Sequence, residues 1–488
     1  MPLPRWISEK VSGLLPEPGP PRSTHERRAG PFPSKLAPQP TGRRLLDERL
    51  GATLRRGDEA LSPRALRLAL GQLRAIIDPQ VSEAEGGLRA KAMASWYAAA
   101  TPQQRRDLCL LMSEQFVADP AVAKAAQAAM SASLGSADEA AAEVRYRRAT
   151  VSPRRRLLQR FSAFDQGVRF LVDVRAELLP ALKHDKRLHA LDAEMEYMFS
   201  TWFDVGFLEL RRISWDSPAS LIEKLIRYEA VHDIKSWADV KNRLDSDRRC
   251  YGFFHPRLPD EPLIFVEVAL LDHMADSVAP LLDESADHAD LNKATTAIFY
   301  SINNTQAGLR GVSFGDSLIK RVVDSLKLEF PRLKCFATLS PIPGFRSWLN
   351  KNLEGMLERL DDKTRASLAR DLRAQASSVE QVLATPQQAA QLKDTSPVRK
   401  ALLQFAAHYL VGSLHEGRPV DPVARFHLGN GARVERINWA ADPSAKGHKQ
   451  SFGLMVNYLY DLKKLDRHRA QLALGKVPLS SAMEALKL

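Results

Sequence analysis

Two side chains able to handle protons sit at breaks in this sequence. His427 stands in Phe426-His427-Leu428, a stretch that reads as a strand, beside the turn Gly429-Asn430-Gly431. Histidine is the side chain whose unperturbed pKa lies nearest neutrality, so it can give or take a proton at physiological pH. Ser340 ends the strand-like run Lys334-Cys335-Phe336-Ala337-Thr338-Leu339 and is followed by Pro341 and Pro343, which restrict the backbone and can fix its hydroxyl. On residue type alone, His427 is also one of twelve histidines that could pack on a strand, and Ser340 a strand-ending turn serine. His255 and His273 read as structural. No His-Glu-x-x-His or Cys-x-x-Cys occurs, so no metal is expected. Cys109, Cys250 and Cys335 are widely spaced, which suits a reducing compartment.

A third feature could hold an anion. The strand Thr296-Ala297-Ile298-Phe299-Tyr300-Ser301-Ile302 runs into Gln306-Ala307-Gly308-Leu309-Arg310-Gly311-Val312-Ser313-Phe314-Gly315. A helix follows, with Phe314, Leu318, Val322 and Leu326 on one face. The first N–H groups of a helix lack internal partners and carry partial positive charge. Gly308, Gly311 and Gly315 would let phosphates approach the main chain. No Gly-Lys-Ser or Gly-Lys-Thr follows, and the spacing is no dinucleotide fingerprint. Spacing alone leaves two readings open, a phosphate cradle and a plain strand-to-helix link.

The turn Gln306-x-Gly308-Leu309-x-Gly311-Val312 resembles the pyrophosphate loop of the acyl-CoA-binding acetyltransferase (GNAT) fold. Longer text narrows the resemblance to the malonyl-CoA decarboxylase family: residues 297–302, Leu318-Ile319-Lys320-Arg321-Val322-Val323, Leu339-Ser340-Pro341-Ile342-Pro343-Gly344-Phe345, Phe426-His427-Leu428-Gly429-Asn430-Gly431-Ala432, Arg436-Ile437-Asn438-Trp439 and Gly453-Leu454-Met455-Val456-Asn457-Tyr458. The resemblance covers most of the chain from about Trp202 onward.

It implies an N-terminal helical domain, a C-terminal α+β GNAT-like domain, and conversion of malonyl-CoA to acetyl-CoA and CO2. Decarboxylation leaves a carbanion beside the thioester carbonyl, which is itself the electron sink, so no cofactor is expected. The protein must hold the carboxylate, stabilise the enolate and protonate carbon. By resemblance Ser340 and His427 are catalytic, with His427 the proton donor and Ser340 described as acceptor. Arg310, Gly311, Val312, Ser313, Phe314, Gly315 and Asp316 match the malonyl-CoA contact segment. Some relatives carry glutamate where this chain has Ser313, so no carboxylate role transfers there. Asn438, Asp442 and Tyr458 are candidates for the pocket wall. The resemblance also implies a homo-oligomer, a tetramer, in the cytoplasm or, in a eukaryote, the mitochondrial matrix.

The elements that must position these residues follow from composition and periodicity. At 488 residues, two or more domains are expected, and 44% hydrophobic with 26% charged residues fits a soluble globular protein. No apolar run is long enough to cross a bilayer. The excess of 70 basic over 58 acidic residues suits nucleic acid or an anionic small molecule. No nucleic-acid-binding signature accompanies it, and none is expected as a partner.

Residues 1–44, rich in Pro, Arg, Gly and Ser, are expected to be disordered. Residues 45–200 read as a helical bundle and an oligomerisation domain. Ser62-Pro63, Thr101-Pro102 and Ser152-Pro153 are its cap-and-first-residue starts. The alanine-rich 123–142 should be helical and closely packed, and Arg154-Arg155-Arg156 a solvated first turn or a ligand patch. Residues 201–488 mix strands and helices. Strands are expected at 207–213, 250–254, 263–268, 423–428 and 433–439, with a turn at Arg257-Leu258-Pro259-Asp260. Helices are expected at 219–228, 237–244 and 399–414, and across much of 345–392. Two further functions remain as alternatives: acyl transfer from CoA to an amine, and nucleic-acid binding by the arginine-rich helices.

Overall fold

A computed structural model describes residues 59–312, 318–374 and 382–488. Residues 1–44 lie outside the described residues, as do Ser313, Phe314, Gly315 and Asp316 of the glycine-rich turn.

Helices fill the chain from Pro63 to Trp202. Pro63–Ile76, Pro102–Gln115 and Pro153–Ser162 each start on proline, and Ser62, Thr101 and Ser152 accept a backbone N–H of the first turn. Each cap satisfies a donor that the helix itself leaves open. The alanine-rich stretch is helical, as expected, but not as one helix. It is two helices, Pro120–Ala132 and Glu139–Thr150, that pack on each other across a break holding Gly135 at φ +76°, and the first buries none of its residues. Small side chains let the two helices approach but give them little apolar area to bury against the body.

Arg154 is neither solvated nor free for a ligand. It is 4% exposed, and its guanidinium donates to the carbonyls of Met112 (3.0 Å), Ala190 (3.1 Å) and Ser113. It thus ties three helices together. Other arginines of this region pair with carboxylates: Arg155 with Glu194, Arg160 with Glu83, Arg106 with Asp185. In each of these pairs the guanidinium is met by a carboxylate of the same region.

The rest of the chain is built on one mixed sheet. Its strands are β1 (Glu209–Ile213), β2 (Arg248–His255), β3 (Leu258–Leu271), β4 (Thr296–Asn304), β5 (Cys335–Thr338), β6 (Ser340–Pro341), β7 (Arg433–Asn438) and β8 (Met455–Leu459). The order is β1-β2-β3-β4-β5-β8-β6, with β7 on β8. The hairpin β2–β3 turns at Pro256-Arg257, so Leu258, Pro259 and Asp260, read as turn, belong to β3.

Among the described strands of this sheet every strand-to-strand pairing is antiparallel except β4–β5, which run parallel from Thr296↔Cys335 to Phe299↔Thr338. A parallel pair needs a crossover, supplied here by the turn after β4 and the helix Leu318–Glu329. Beyond Phe299 the two strands part. β4 continues to Asn304 against β3, whereas the chain past Leu339 pairs as β6 with Met455 and Val456 of β8. Ser340 is the first residue after the parting.

Residues 423–428, read as a strand, are helical: α3 below spans Pro422–Gly429. One apolar core runs from Leu66, Leu70 and Phe161 of the helical region to Phe299, Phe336 and Val456 of the sheet. Ile222, Leu225 and Ile226 form a second core with Phe254 and Phe265.

The buried guanidinium of Arg154 gives a stability test. Arg154→Ala leaves up to three carbonyls short of a donor, and the unfolding free energy should fall by about 2–4 kcal/mol, read from urea denaturation. A loss under about 0.5 kcal/mol, the range of ordinary surface changes, would contradict the bracing role.

Candidate active site

Three helices carry or adjoin the candidate residues: α1 (Gly167–Leu178) packs on the glycine-rich turn, α2 (Leu318–Glu329) follows it, and α3 (Pro422–Gly429) carries His427. α3 starts at Asp421, whose carboxylate accepts the N–H groups of Val423 (3.0 Å) and Ala424 (2.8 Å), with Pro422 as first helical residue. His427 falls in its last turn, buried at 3% exposure. Ser340 comes from β6 at 5% exposure. These residues, 87 positions apart in sequence, meet with Ser340 Oγ 3.2 Å from His427 Nε2.

The contact belongs to a longer chain of hydrogen bonds. Ser340 Oγ donates to Thr338 Oγ1 (2.9 Å), which also takes the backbone N–H of Tyr458 (3.2 Å). On the far side of the ring, His427 Nδ1 lies 2.8 Å from Tyr460 Oη. With the Ser340 proton directed at Thr338, Ser340 Oγ is left to accept from His427 Nε2–H. Nδ1 then accepts from the Tyr460 hydroxyl. The ring is thereby held as the neutral Nε2–H tautomer.

Tyr458 stacks on His427, with centroids 4.7 Å apart and planes at 26°, and Phe426 and Tyr460 stand edge-on to it. Burial among these rings drives the His427 pKa down to about 3, because desolvation disfavours the charged form. The same burial pushes the Tyr458 and Tyr460 hydroxyls up, so each keeps its proton.

Asn457 secures the backbone where the strands part. It sits at the β-bulge of β8. Its Nδ2 donates to the carbonyls of Thr338 (2.7 Å) and Ala275 (3.1 Å). Its Oδ1 accepts from Arg436 Nε (2.9 Å) and Asn438 Nδ2 (2.8 Å). All four hydrogen-bonding positions of the amide are thus used, and the carbonyl of Thr338 is fixed two residues before Ser340. Of the candidates for a pocket wall, Tyr458 touches the histidine and Asn438 supports Asn457. Asp442 caps the following turn through Ser444 N (2.9 Å).

The glycine-rich turn is described as far as Val312. Arg310 and Gly311 are exposed and Val312 is buried. Gly311 has φ +84°, a conformation that favours glycine. Gly308 has a different task from the one its spacing suggests. A Cβ there would lie 1.9 Å from the carbonyl oxygen of Val172, so its missing side chain admits α1. His255 is buried against Phe203 with ring centroids 4.9 Å apart, and His273 is exposed beside Asp272.

Thr338 and Tyr460 are the site residues that sequence reasoning missed. Thr338 was reachable, since it is two positions before Ser340 and so faces the same side of the strand. Tyr460 lies two residues past the motif ending at Tyr458, and nothing in its surroundings marks it. Among the described residues, no group of three or more His, Cys, Asp or Glu side chains could hold a metal ion.

Comparison with known proteins agrees with this architecture. The family model for the malonyl-CoA decarboxylase C-terminal domain matches residues 206–487, and that for the N-terminal domain matches residues 116–203. The mouse protein named malonyl-CoA decarboxylase, mitochondrial, is 40% identical over 336 residues, covering 66% of this chain and 68% of its own. The crystal structure of malonyl-CoA decarboxylase from Rhodopseudomonas palustris superimposes with a TM-score of 0.76 at 39% identity, covering 86% of this chain and 99% of the other. The Cupriavidus metallidurans structure of the same name gives 0.69 at 44% identity, covering 87% and 100%. With matching models on both halves and solved relatives aligned over nearly their whole length, the chain belongs to the malonyl-CoA decarboxylase family.

Proposed function

We propose that Ser340 and His427 act as one unit in the decarboxylation of malonyl-CoA, the activity that family membership gives this chain. The observation that carries the proposal is the buried 3.2 Å contact between Ser340 Oγ and His427 Nε2. Ser340 turns its hydroxyl from Thr338 to the malonyl carboxylate and holds it across the plane of the thioester. The bond between the carboxylate carbon and the methylene carbon breaks. Its electron pair enters the thioester as an enolate, and CO2 leaves. The enolate carbon then takes a proton from His427 Nε2, giving acetyl-CoA.

The free imidazole is neutral and would be left as an imidazolate if it gave up its Nε2 proton, so a second ring proton must be gained when the substrate binds. An anionic carboxylate beside Nε2 offsets the desolvation that keeps the free ring uncharged. Binding therefore draws one proton from solvent onto His427. Tyr460 stays at Nδ1 as a hydrogen-bond partner and orients the ring. The balance is one malonyl-CoA and one proton in, one acetyl-CoA and one CO2 out. The thioester carbonyl serves as the electron sink throughout, and no resident cofactor takes part.

In this reading the C-terminal region is a GNAT-like acyl-CoA-binding domain. Its support is the single parallel strand pair, which parts at Ser340 and is joined through a glycine-rich turn and helix. The turn from Arg310, with the exposed Gly311 N–H, takes the pyrophosphate of CoA. The exposed helical pair of residues 120–150 supports a homo-oligomer, a tetramer by family resemblance, for which sedimentation at equilibrium is the check.

Substitution separates chemistry from binding. Ser340→Ala and His427→Ala should each lower kcat by roughly 10²–10⁴-fold. The double variant should lose far less than the product of the two, because members of one unit are non-additive. The Kd for CoA should stay near wild type in all three and rise in Arg310→Glu. A folded His427→Ala with near-normal turnover, or losses that simply multiply, would overturn the shared unit. A wild-type Kd in Arg310→Glu would overturn the loop assignment.

A further inference from the structure

The turn that follows β4 is held from outside its own domain. Arg175 of α1 is 1% exposed. Its Nη1 donates to the carbonyls of Gly308 (2.8 Å) and Arg310 (2.9 Å), and its Nε pairs with Asp192 (2.7 Å). Nη2 lies 3.7 Å from Glu196. Six residues earlier on α1, Arg169 donates to Gln306 Oε1 (2.6 Å). The amide of Gln306 donates in turn to Thr305 Oγ1 (2.9 Å) and to the carbonyl of Pro262 in β3 (3.3 Å). Gly308 lies against the Val172 carbonyl, where no side chain would fit. The turn is therefore clamped along one whole side by a helix of the N-terminal region.

The clamp has a direction. A trans peptide sets its N–H opposite its C=O. Drawing the Arg310 carbonyl onto Arg175 therefore points the Gly311 N–H the other way, toward the exposed side of the turn. The positive φ of Gly311 keeps the chain in that orientation.

We propose that Arg175 is a positioning residue for substrate binding. By holding the Gly308 and Arg310 carbonyls it aims the turn's main-chain N–H at the CoA pyrophosphate, so the helical region completes the substrate site. This inference rests on the reading of the turn as the pyrophosphate loop. Lysine cannot replace the fork, since a single ammonium does not span two carbonyls and a carboxylate in one plane.

The test compares the full-length variants Arg175→Lys, Arg169→Ala, Arg310→Glu and Arg154→Lys by steady-state kinetics with malonyl-CoA, calorimetric titration with CoA, and thermal melting. Arg175→Lys should raise KM and the CoA Kd together by roughly 3- to 30-fold, with kcat within about twofold of wild type. Arg169→Ala, a partly exposed and milder change, should move both the same way and decides the matter if Arg175→Lys does not fold. Arg154→Lys, equally buried in the helical region but away from the turn, should lower Tm without moving KM.

Unchanged KM and Kd in the Arg175 and Arg169 variants, with both raised in Arg310→Glu, would overturn the positioning role and leave the loop reading intact. A loss confined to kcat would overturn it too. Unchanged affinity in Arg310→Glu would remove the loop reading and this inference with it.

Discussion

The proposed reaction depends on keeping an imidazole uncharged inside the protein until substrate arrives. His427 is walled by Phe426, Tyr458 and Tyr460, and burial lowers its pKa to about 3 from the ordinary 6.5. The cost appears in the folded state. Below pH 6.5 the unfolded chain binds a proton that the folded ring refuses until about 3. The stability contributed by this group is therefore complete above 6.5 and is lost as pH falls toward 3. In the proposed complex a negative carboxylate at Nε2 inverts that balance, and the same burial that disfavours charge in the free protein strengthens the ion pair.

The rest of the fold can be understood as what holds that ring against its partners. Asp421 and Pro422 start a helix only long enough to bring His427 into its last turn. The parting of β4 and β5 puts Ser340 where β6 begins, and Asn457 fixes the backbone there by bonding the Thr338 carbonyl. From the other side, the helical region holds the turn after β4 through Arg175. The helical region thus braces the turn, and the apolar side chains of both halves form one continuous core.

Much of this was legible in the sequence, and the failures have physical causes. The Ser-Pro and Thr-Pro starts located helices because they satisfy open N–H groups locally, whatever packs later. Asp421-Pro422 is the same kind of signal. It was passed over because Val423 to Leu428 is short and apolar, where periodicity does not separate strand from helix. The roles of Arg154 and Gly308 were not legible, for a shared reason. A guanidinium in a charge run and a glycine in a turn suggest solvent and ligand, yet each is set by a distant backbone carbonyl that only the tertiary fold supplies. The meeting of Ser340 with His427 is also a tertiary fact, which the resemblance to a family pointed to and residue spacing did not. Tyr460 needed the structure outright.

The account stands on the substrate charging a neutral histidine, and single-turnover proton counting tests this directly. Excess protein is mixed with malonyl-CoA in weakly buffered solution containing a pH indicator, with acetyl-CoA followed in parallel by rapid quench. The account predicts that one proton per site is taken up in a phase that precedes acetyl-CoA, and that this phase is absent in His427→Ala. Uptake that coincides with or lags acetyl-CoA formation would mean that His427 is not charged before carbon is protonated, and would contradict it.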